Sequence, residues 1–171
     1  MTYSVQDERD FLDEAISLWT TEVPELDTSG KQITGRILRL AEFINDRMNG
    51  VLHEHGIKYG TYAILATLRA SGEPYTMTPK SLQGTLVVTS GGLSNQIARL
   101  EAKGLVTREV DPSDGRGVLV KLTDQGKALA DRTMPPQAAT ERDFIRMLSP
   151  EERQQLENLL RRVLLINSVH R

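Results

Sequence analysis

The chain has 171 residues, a formal net charge of −2 and no cysteine, which excludes disulfides and thiolate metal sites. No stretch approaches the roughly 18 uninterrupted apolar residues of a membrane-spanning helix. The acidic N-terminus also lacks the layout of a secretory signal, so we expect a cytoplasmic protein without a membrane partner. Eight acids and one base lie in residues 1–30, which leaves a net charge of +5 on the remainder. Because nucleic-acid affinity follows local basic surface, the acidic total does not exclude that partner.

Three helices are predicted in the first part of the chain. Apolar residues recur at helical spacing from about Ser4 to Trp19 and again over roughly 32–55, where Ile37 and Ile44 belong to a long apolar stripe. The segment TYAILATLRA predicts a shorter apolar helix that ends at SGEP.

Residues 78–104 predict a short helix, a tight turn and a longer helix. Thr78 followed by Pro79 is typical of a helix start, since a capping residue precedes a proline at the first helical position. The longer helix begins at Thr89 or Ser90 and ends at Gly104, a residue type that readily adopts the left-handed conformation. Its predicted buried face consists of Leu93, Ile97 and Leu100.

A hairpin follows these helices. Period-two alternation in residues 106–110 and 118–122 predicts two antiparallel strands, which the seven residues DPSDGRG connect. Such a long connection, with Arg116 near its end, is more than a tight turn requires.

Two further helices complete the predicted order. Thr123 is a predicted cap for a helix in which Pro135-Pro136 predicts a kink or a break. The last helix opens at Ser149 and Pro150, and Glu152 completes a capping box.

A helix–turn–helix followed by a two-stranded hairpin is the layout of a winged helix. Once its apolar face is buried, the longer helix leaves small and hydrogen-bonding residues at its N-terminus, where free N–H groups favour a phosphate. Asn95 and Gln96 are residue types that read adenine edges, and Arg99 is one that reads guanine or binds phosphate. Arg116 suits the narrow, electronegative minor groove. The predicted DNA-binding residues are Thr78, Lys80, Thr89, Ser90, Gly91, Gly92, Ser94, Asn95, Gln96, Arg99 and Arg116.

The run LVVTSGGLSNQIARLEAKGLVTREVDPSDGRGVLVKLTDQG resembles the signature of the MarR family of bacterial transcriptional regulators. The shared features are a recognition helix ending in RLE-x-KGLV-x-R, a wing of the form DP-x-D-x-R and a strand closing in V-x-LT-x-x-G. The resemblance implies a mainly α fold with a small antiparallel β-wing. It implies a single domain, 1–171, with dimerisation helices in 1–57 and 124–171 and a winged helix–turn–helix lobe in 58–123.

The resemblance also implies a function. Family members are homodimers that bind pseudo-palindromic operators in double-stranded DNA and are commonly released by small anionic or phenolic ligands. We therefore expect a regulator, more specifically a repressor, that responds to a small-molecule effector. The residues assigned to the dimer interface are Ile37, Ile44, Leu156, Leu160, Val163 and Leu164.

Individual positions of the family match residues of the wing. The family's wing arginine matches Arg116, and its supporting pair matches Asp114 and Arg108, which are expected to brace the wing by an ion pair. Gly115 stands where the family often has a second base. The N-terminal helix resembles that of the urate-responsive branch, but Ala63 occupies the place of that branch's carboxylate, which argues against urate.

The same sequence supports competing functions less well. Trp19 is a candidate ligand contact, although a tryptophan is more often core or interface. His53 and His55 flank Glu54 on a helix and point to different faces, so no metal site is predicted. Nothing assembles into a catalytic constellation, so neither an enzyme nor a cofactor is predicted. A winged helix used only for protein interaction is the remaining alternative, and it would tolerate the loss of Asn95 and Arg116.

Overall fold

The computed structural model describes residues 8–86, 90–112 and 117–168, and these residues form seven helices and three short strands. The helices are α1 (Phe11–Glu22), α2 (Ser29–His53), α3 (Tyr59–Ala70), α4 (Pro79–Thr85), α5 (Ser90–Ala102), α6 (Asp124–Phe144) and α7 (Pro150–Ser168). The strands are β1 (Thr76–Met77), β2 (Val106–Val110) and β3 (Val118–Leu122). A mainly helical chain with a small antiparallel sheet confirms the predicted fold class.

The chain divides into two compact units. The terminal unit consists of the described parts of Met1–Ile44 and Glu141–Arg171, and the central unit consists of the described parts of Asn45–Thr140. The central unit holds the helix–turn–helix and the hairpin. Both boundaries lie inside helices, one in α2 and one in α6.

One apolar core organises the central unit. α3 contributes Ile64, Leu65 and Leu68, which have no exposed surface and which share one face of the helix. Burial of each such side chain contributes about 1.5–3 kcal/mol. The core also includes Leu52, Ile57, Leu82, Leu93, Ile97, Leu100, Leu105, Val106, Val120, Leu122, Leu129 and Ala130.

The sheet has the strand order β1-β3-β2, and each neighbouring pair is antiparallel. The predicted hairpin is confirmed, with Val106 opposite Leu122 and Val110 opposite Val118. β1 was not predicted, because two residues are too few to show alternation. It pairs with β3 at the base of the hairpin, where Thr76 lies opposite Lys121.

The predicted helix caps are confirmed where the structure describes them. The Thr78 Oγ1 accepts a hydrogen bond from the backbone N–H of Ser81 at 3.1 Å. Gly104, two residues after the end of α5, adopts a φ of +67°. The backbone N–H of Ser149 donates to Glu152 at 2.7 Å, and that of Glu152 donates to the Ser149 hydroxyl at 3.2 Å, which completes the box at the start of α7.

The predicted start of the first helix is wrong, and of the kink or break predicted at Pro135-Pro136 the break does not occur. α1 begins at Phe11, after residues 8–10 that are not helical, because Asp10 is the N-cap and accepts from the backbone N–H groups of Leu12 and Asp13. Ser4, the predicted start, lies outside the described residues. α6 is not broken by its two prolines, which remove two backbone donors within it. Its buried face includes Thr133 before the prolines and Gln137 after them, so the helix continues through both.

In the terminal unit, α1 packs antiparallel to the first half of α2. Leu12 is buried over Gly35, where an added Cβ would lie 2.8 Å from the leucine side chain. Arg36 donates to Asp10 at 2.8 Å and to Asp13 at 2.7 Å. The hydrogen bond from Arg36, followed by one from the Asp10 backbone, lowers the pKa of Asp13.

Aromatic contacts extend the same pairing. The Lys31 ammonium lies 3.5 Å from the ring centre of Trp19, and the Arg39 guanidinium lies 4.5 Å from that of Phe43 and 5.7 Å from that of Phe11. Each cation is attracted by the electron-rich face of the ring. Within the described part of the chain, no helix is long and apolar enough to cross a membrane.

Candidate nucleic-acid interface

The recognition helix α5 is anchored through one face. Leu93, Ile97 and Leu100 are 1–2% exposed, as predicted from their spacing. The helix ends in a turn in which the backbone N–H of Leu105 donates to the carbonyl of Leu100 at 3.0 Å. Because the apolar face is held in the core, the opposite face of α5 has a fixed orientation on the surface of the central unit.

That opposite face carries hydrogen-bonding side chains. Ser94, Asn95 and Arg99 are exposed, and so is Lys80 in α4. Asn95 and Arg99 are four residues apart, so they lie about 6 Å apart along the same side of the helix. Thr78 has a local structural role, since its hydroxyl caps α4.

Gln96 is placed differently from Asn95. It is half-buried, and its amide lies 3.0 Å from the position that a Cβ on Gly60 would occupy. Its Oε1 atom is buried and has no hydrogen-bond partner among the described residues. Gln96 therefore lies against the start of α3 and is less available to a base edge than Asn95.

Several predicted DNA-binding positions have little or no structural description. Thr89, Asp114 and Arg116 lie outside the described residues, so their roles stay predictions. Ser90 and Gly91 belong to α5, and Gly92 in the first turn is half-buried.

One ion pair connects the two strands of the hairpin, and another connects the hairpin to α5. The Arg108 side chain lies 3.4 Å from Glu101 of α5, and the Lys121 ammonium lies 3.1 Å from Glu109 across the two strands. The predicted partner of Arg108 was Asp114, and that pairing is not tested. Exposed pairs of this kind contribute about 0–1 kcal/mol each, so they orient the wing more than they stabilise it.

The junction between α5, the wing and α6 depends on a glycine whose role the sequence did not reveal. A Cβ on Gly126 would lie 2.0 Å from the carbonyl oxygen of Leu105. Thr123 closes the same junction, because its hydroxyl donates to the carbonyl of Gly104 at 2.7 Å and accepts from the backbone N–H of Gly126 at 3.0 Å. The glycine of the LT-x-x-G pattern therefore permits a close backbone approach.

The predicted dimerisation residues all lie in the terminal unit. Ile44 is half-buried, and the others are exposed, from Ile37 at 38% to Leu164 at 66%. Trp19 is 45% exposed, with Lys31 against its ring.

Comparisons with known proteins agree with this arrangement. The MarR family model matches residues 55–117. The chain is similar to the HTH-type transcriptional regulator PecS of Dickeya dadantii, with 32% identity over 148 residues that cover 86% of this chain and 89% of PecS. It is also similar to a mutant MarR from E. coli complexed with operator DNA, with 28% identity and a TM-score of 0.70 over 86% of this chain and 98% of that one. Sco3205 from Streptomyces coelicolor, in complex with DNA, matches with 30% identity and a TM-score of 0.73 over 81% of this chain and 91% of that one.

Proposed function

This chain belongs to the MarR family of transcriptional regulators, and from that premise we propose that it acts as a homodimeric repressor on a pseudo-palindromic operator and is released by a small-molecule ligand. The similar proteins named above are regulators and not enzymes, and two of the solved structures contain DNA. The proposed place of action is the bacterial cytoplasm, on chromosomal DNA.

The exposed polar side of α5 is the observation that carries the proposal. Asn95 is exposed on a helix whose opposite face is fixed in the core, which supports a role in reading base edges in the major groove. In a two-fold dimer, two such helices would enter successive major grooves roughly 34–36 Å apart. The operator is therefore expected to have two half-sites separated by about one helical turn.

The wing supplies the second proposed contact. β2 and β3 present the connection 111–117, and Arg116 in this connection is proposed to enter the minor groove that flanks each half-site. Its effect should be largest where A·T-rich flanks narrow that groove. Lysine at this position should recover only part of the affinity, because an ammonium is more strongly hydrated than a guanidinium.

Exposed apolar residues support the proposed dimer. Ile37 of α2 and Leu156, Leu160, Val163 and Leu164 of α7 are all at least 38% exposed in the single chain. A second copy would remove this surface from water. The same contact would set the distance between the two recognition helices.

The proposed release mechanism is a ligand that binds two conformations unequally. A ligand shifts DNA affinity only by its differential affinity for the two states. The chain has no cysteine, so a thiol switch is not part of the proposal. Trp19 is the only tryptophan, and its exposed ring should report a nearby ligand through its fluorescence.

Binding selection on random duplexes, followed by measurement of Asn95→Ala, tests the proposed function. The selection should yield a two-fold symmetric site, and the substitution should cost about 1–3 kcal/mol of binding free energy and relax preference at particular base pairs. Asn158→Ala on α7 is the control, and it should leave base preference unchanged. A wild-type protein that selects no sequence and binds duplexes without salt dependence would instead support a protein-interaction module.

A further inference from the structure

A groove of about 610 Å³ lies within the central unit, between the start of α3 and the C-terminal half of α5. Asn95 does not line this groove, but Arg99 does, one turn further along the same side of α5. The groove is therefore next to the exposed side chain that is proposed to read bases. Among the described residues that line this groove there is no carboxylate.

Three cations line it instead: Lys58, Arg99 and Lys103. Within residues 8–86, 90–112 and 117–168, none of the three is paired with a carboxylate. Some other cations of the central unit are paired, such as Arg69, which donates to Asp131 at 2.7 Å in a hydrogen bond that raises the pKa of Arg69. The groove thus concentrates positive charge that the described protein does not neutralise, in a concave site where its field is focused.

The start of α3 adds hydrogen-bond donors to this charge. Lys58 is the N-cap but its side chain caps no backbone group, and its carbonyl accepts from the N–H groups of Thr61 and Tyr62. The N–H of Tyr59 donates to the Asn49 side chain at 2.9 Å. Among the described residues this leaves the N–H of Gly60 without an acceptor, at the helix end where the macrodipole favours an anion.

Gln96 makes a further polar group available at the same place. Gly60 has no side chain, and this allows the Gln96 amide to lie within 3.0 Å of the position of the absent Cβ. The buried amide oxygen has no donor among the described residues. The Thr61 side chain also lines the groove, so its hydroxyl is a further donor beside the three cations.

We propose that this groove binds a phosphate group of the DNA backbone, held by Lys58, Lys103 and Arg99 together with the N–H of Gly60. The assignment rests on the proposed DNA-binding function. A tetrahedral oxyanion matches the three cations and the N–H and O–H donors of this site. Asn95 and Arg99 lie four residues apart on one side of α5, and Lys103 follows directly after its last residue, so base reading and phosphate binding would occupy neighbouring positions at the C-terminal half of α5.

Salt dependence of DNA binding tests the assignment. Complete loss of the one phosphate contact per subunit would lower the slope of log affinity against log salt by about 1.8 per dimer, at about 0.9 per contact. Lys58→Gln and Lys103→Gln each remove one of the three cations that hold this phosphate, so each should lower the slope by a measurable part of that amount. The reduction should be equal on the selected operator and on an unrelated duplex, because a backbone contact carries no sequence information. Lys127→Gln is the control, since that lysine lies in the same unit but 3.8 Å from Asp131 and outside the groove, and its slope should match the wild type.

A second measurement distinguishes the source of the phosphate. Inorganic phosphate is titrated into the DNA-free protein, and the amide signal of Gly60 is followed by NMR. If the two groove variants lose a phosphate-dependent shift but keep the wild-type DNA slope, the groove takes free phosphate and the DNA assignment is overturned. Unchanged slopes in a wild type that binds DNA would overturn this inference alone, whereas a wild type that binds no duplex would overturn the proposed function as well.

Discussion

The apolar residues of the central unit and those of α7 in the terminal unit differ in their exposure to water. In the central unit, Leu65 and Ile64 of α3 have no exposed surface, so the fold itself removes them from water. In the terminal unit, α7 has no buried residue at all, and Leu164 is 66% exposed. The two patterns of apolar spacing look alike in the sequence. What separates them is whether the same chain supplies the opposing surface.

The difference shows what each unit requires. The central unit gains its stability from internal burial, and its surface is left free for polar contacts. The terminal unit exposes a stripe of leucines large enough to need a second surface. A mutation in the first unit should therefore act on folding, and a mutation on the stripe of the second should act on assembly.

The largest expected effect follows from charging that stripe. Leu156→Glu combined with Leu160→Glu would place two carboxylates on α7 in each copy. In a dimer four leucines would lose the burial of the surface that is still exposed in the single chain, 42% for Leu156 and 39% for Leu160. At about 1.5–3 kcal/mol for full burial of one side chain, dimerisation should weaken by at least about 2–5 kcal/mol, and the cost of burying carboxylates adds to this. Sedimentation at micromolar concentration should then show monomer.

A matched control places the same charges on the other side of α7. Gln154→Glu combined with Asn158→Asp changes two exposed amides to acids at positions opposite the stripe. This variant should remain dimeric. A charged-stripe variant that sediments like the wild type, or a wild type that is a stable monomer, would show that the leucines do not form the interface.

A smaller effect is expected from a single methyl group in the central unit. Gly126→Ala would bring a Cβ to 2.0 Å from a backbone carbonyl, so the chain would have to shift, at a cost of about 3 kcal/mol. Denaturant unfolding at a fixed protein concentration measures this loss. Gly50→Ala is the control, because nothing lies within 4 Å of its added Cβ in α2 and the change should stabilise the helix by about 0.5–1 kcal/mol. Equal stabilities of the two alanine variants would contradict the close contact at residue 126.

The sequence predicted those structural features that depend on residues close together in the chain. The caps at Thr78 and Ser149 involve groups no more than three residues apart, and both are confirmed. The buried face of the recognition helix was equally predictable, because helical spacing alone places Leu93, Ile97 and Leu100 together.

Features that depend on distant residues were not predictable in the same way. β1 exists because Thr76 and Met77 meet β3, which comes much later in the chain. Gln96 looked equivalent to Asn95 in the sequence, and only the position of Gly60 draws it away from the surface. The role of Gly126 likewise depends on the carbonyl of Leu105, which lies in the turn after α5 and far from Gly126 in the sequence. No local pattern reveals such a contact.

The smallest expected effect concerns how α1 is attached to α2. This attachment uses ion pairs on the surface, whereas the core of the central unit uses buried apolar side chains. Arg36 lowers the pKa of Asp13, so the folded protein holds the carboxylate in its charged form more strongly than the unfolded chain does. The stabilising contribution is therefore present above the ordinary aspartate pKa of 3.8 and is lost as the pH falls through the lower, folded value.

Acid should consequently loosen α1 before it disturbs the central unit. Trp19 reports the separation, because the Lys31 ammonium of α2 lies 3.5 Å from the centre of its ring. Its fluorescence should change in acid while the backbone amides of α3 retain their protection from hydrogen exchange. Asp13→Asn removes the titrating carboxylate and keeps a residue of the same shape, so this variant should show a loosened α1 already at neutral pH and a smaller acid response. If Trp19 fluorescence and α3 protection change together in both proteins, α1 is held by apolar contacts such as Leu12 on Gly35, and the Arg36 ion pairs contribute little to its attachment.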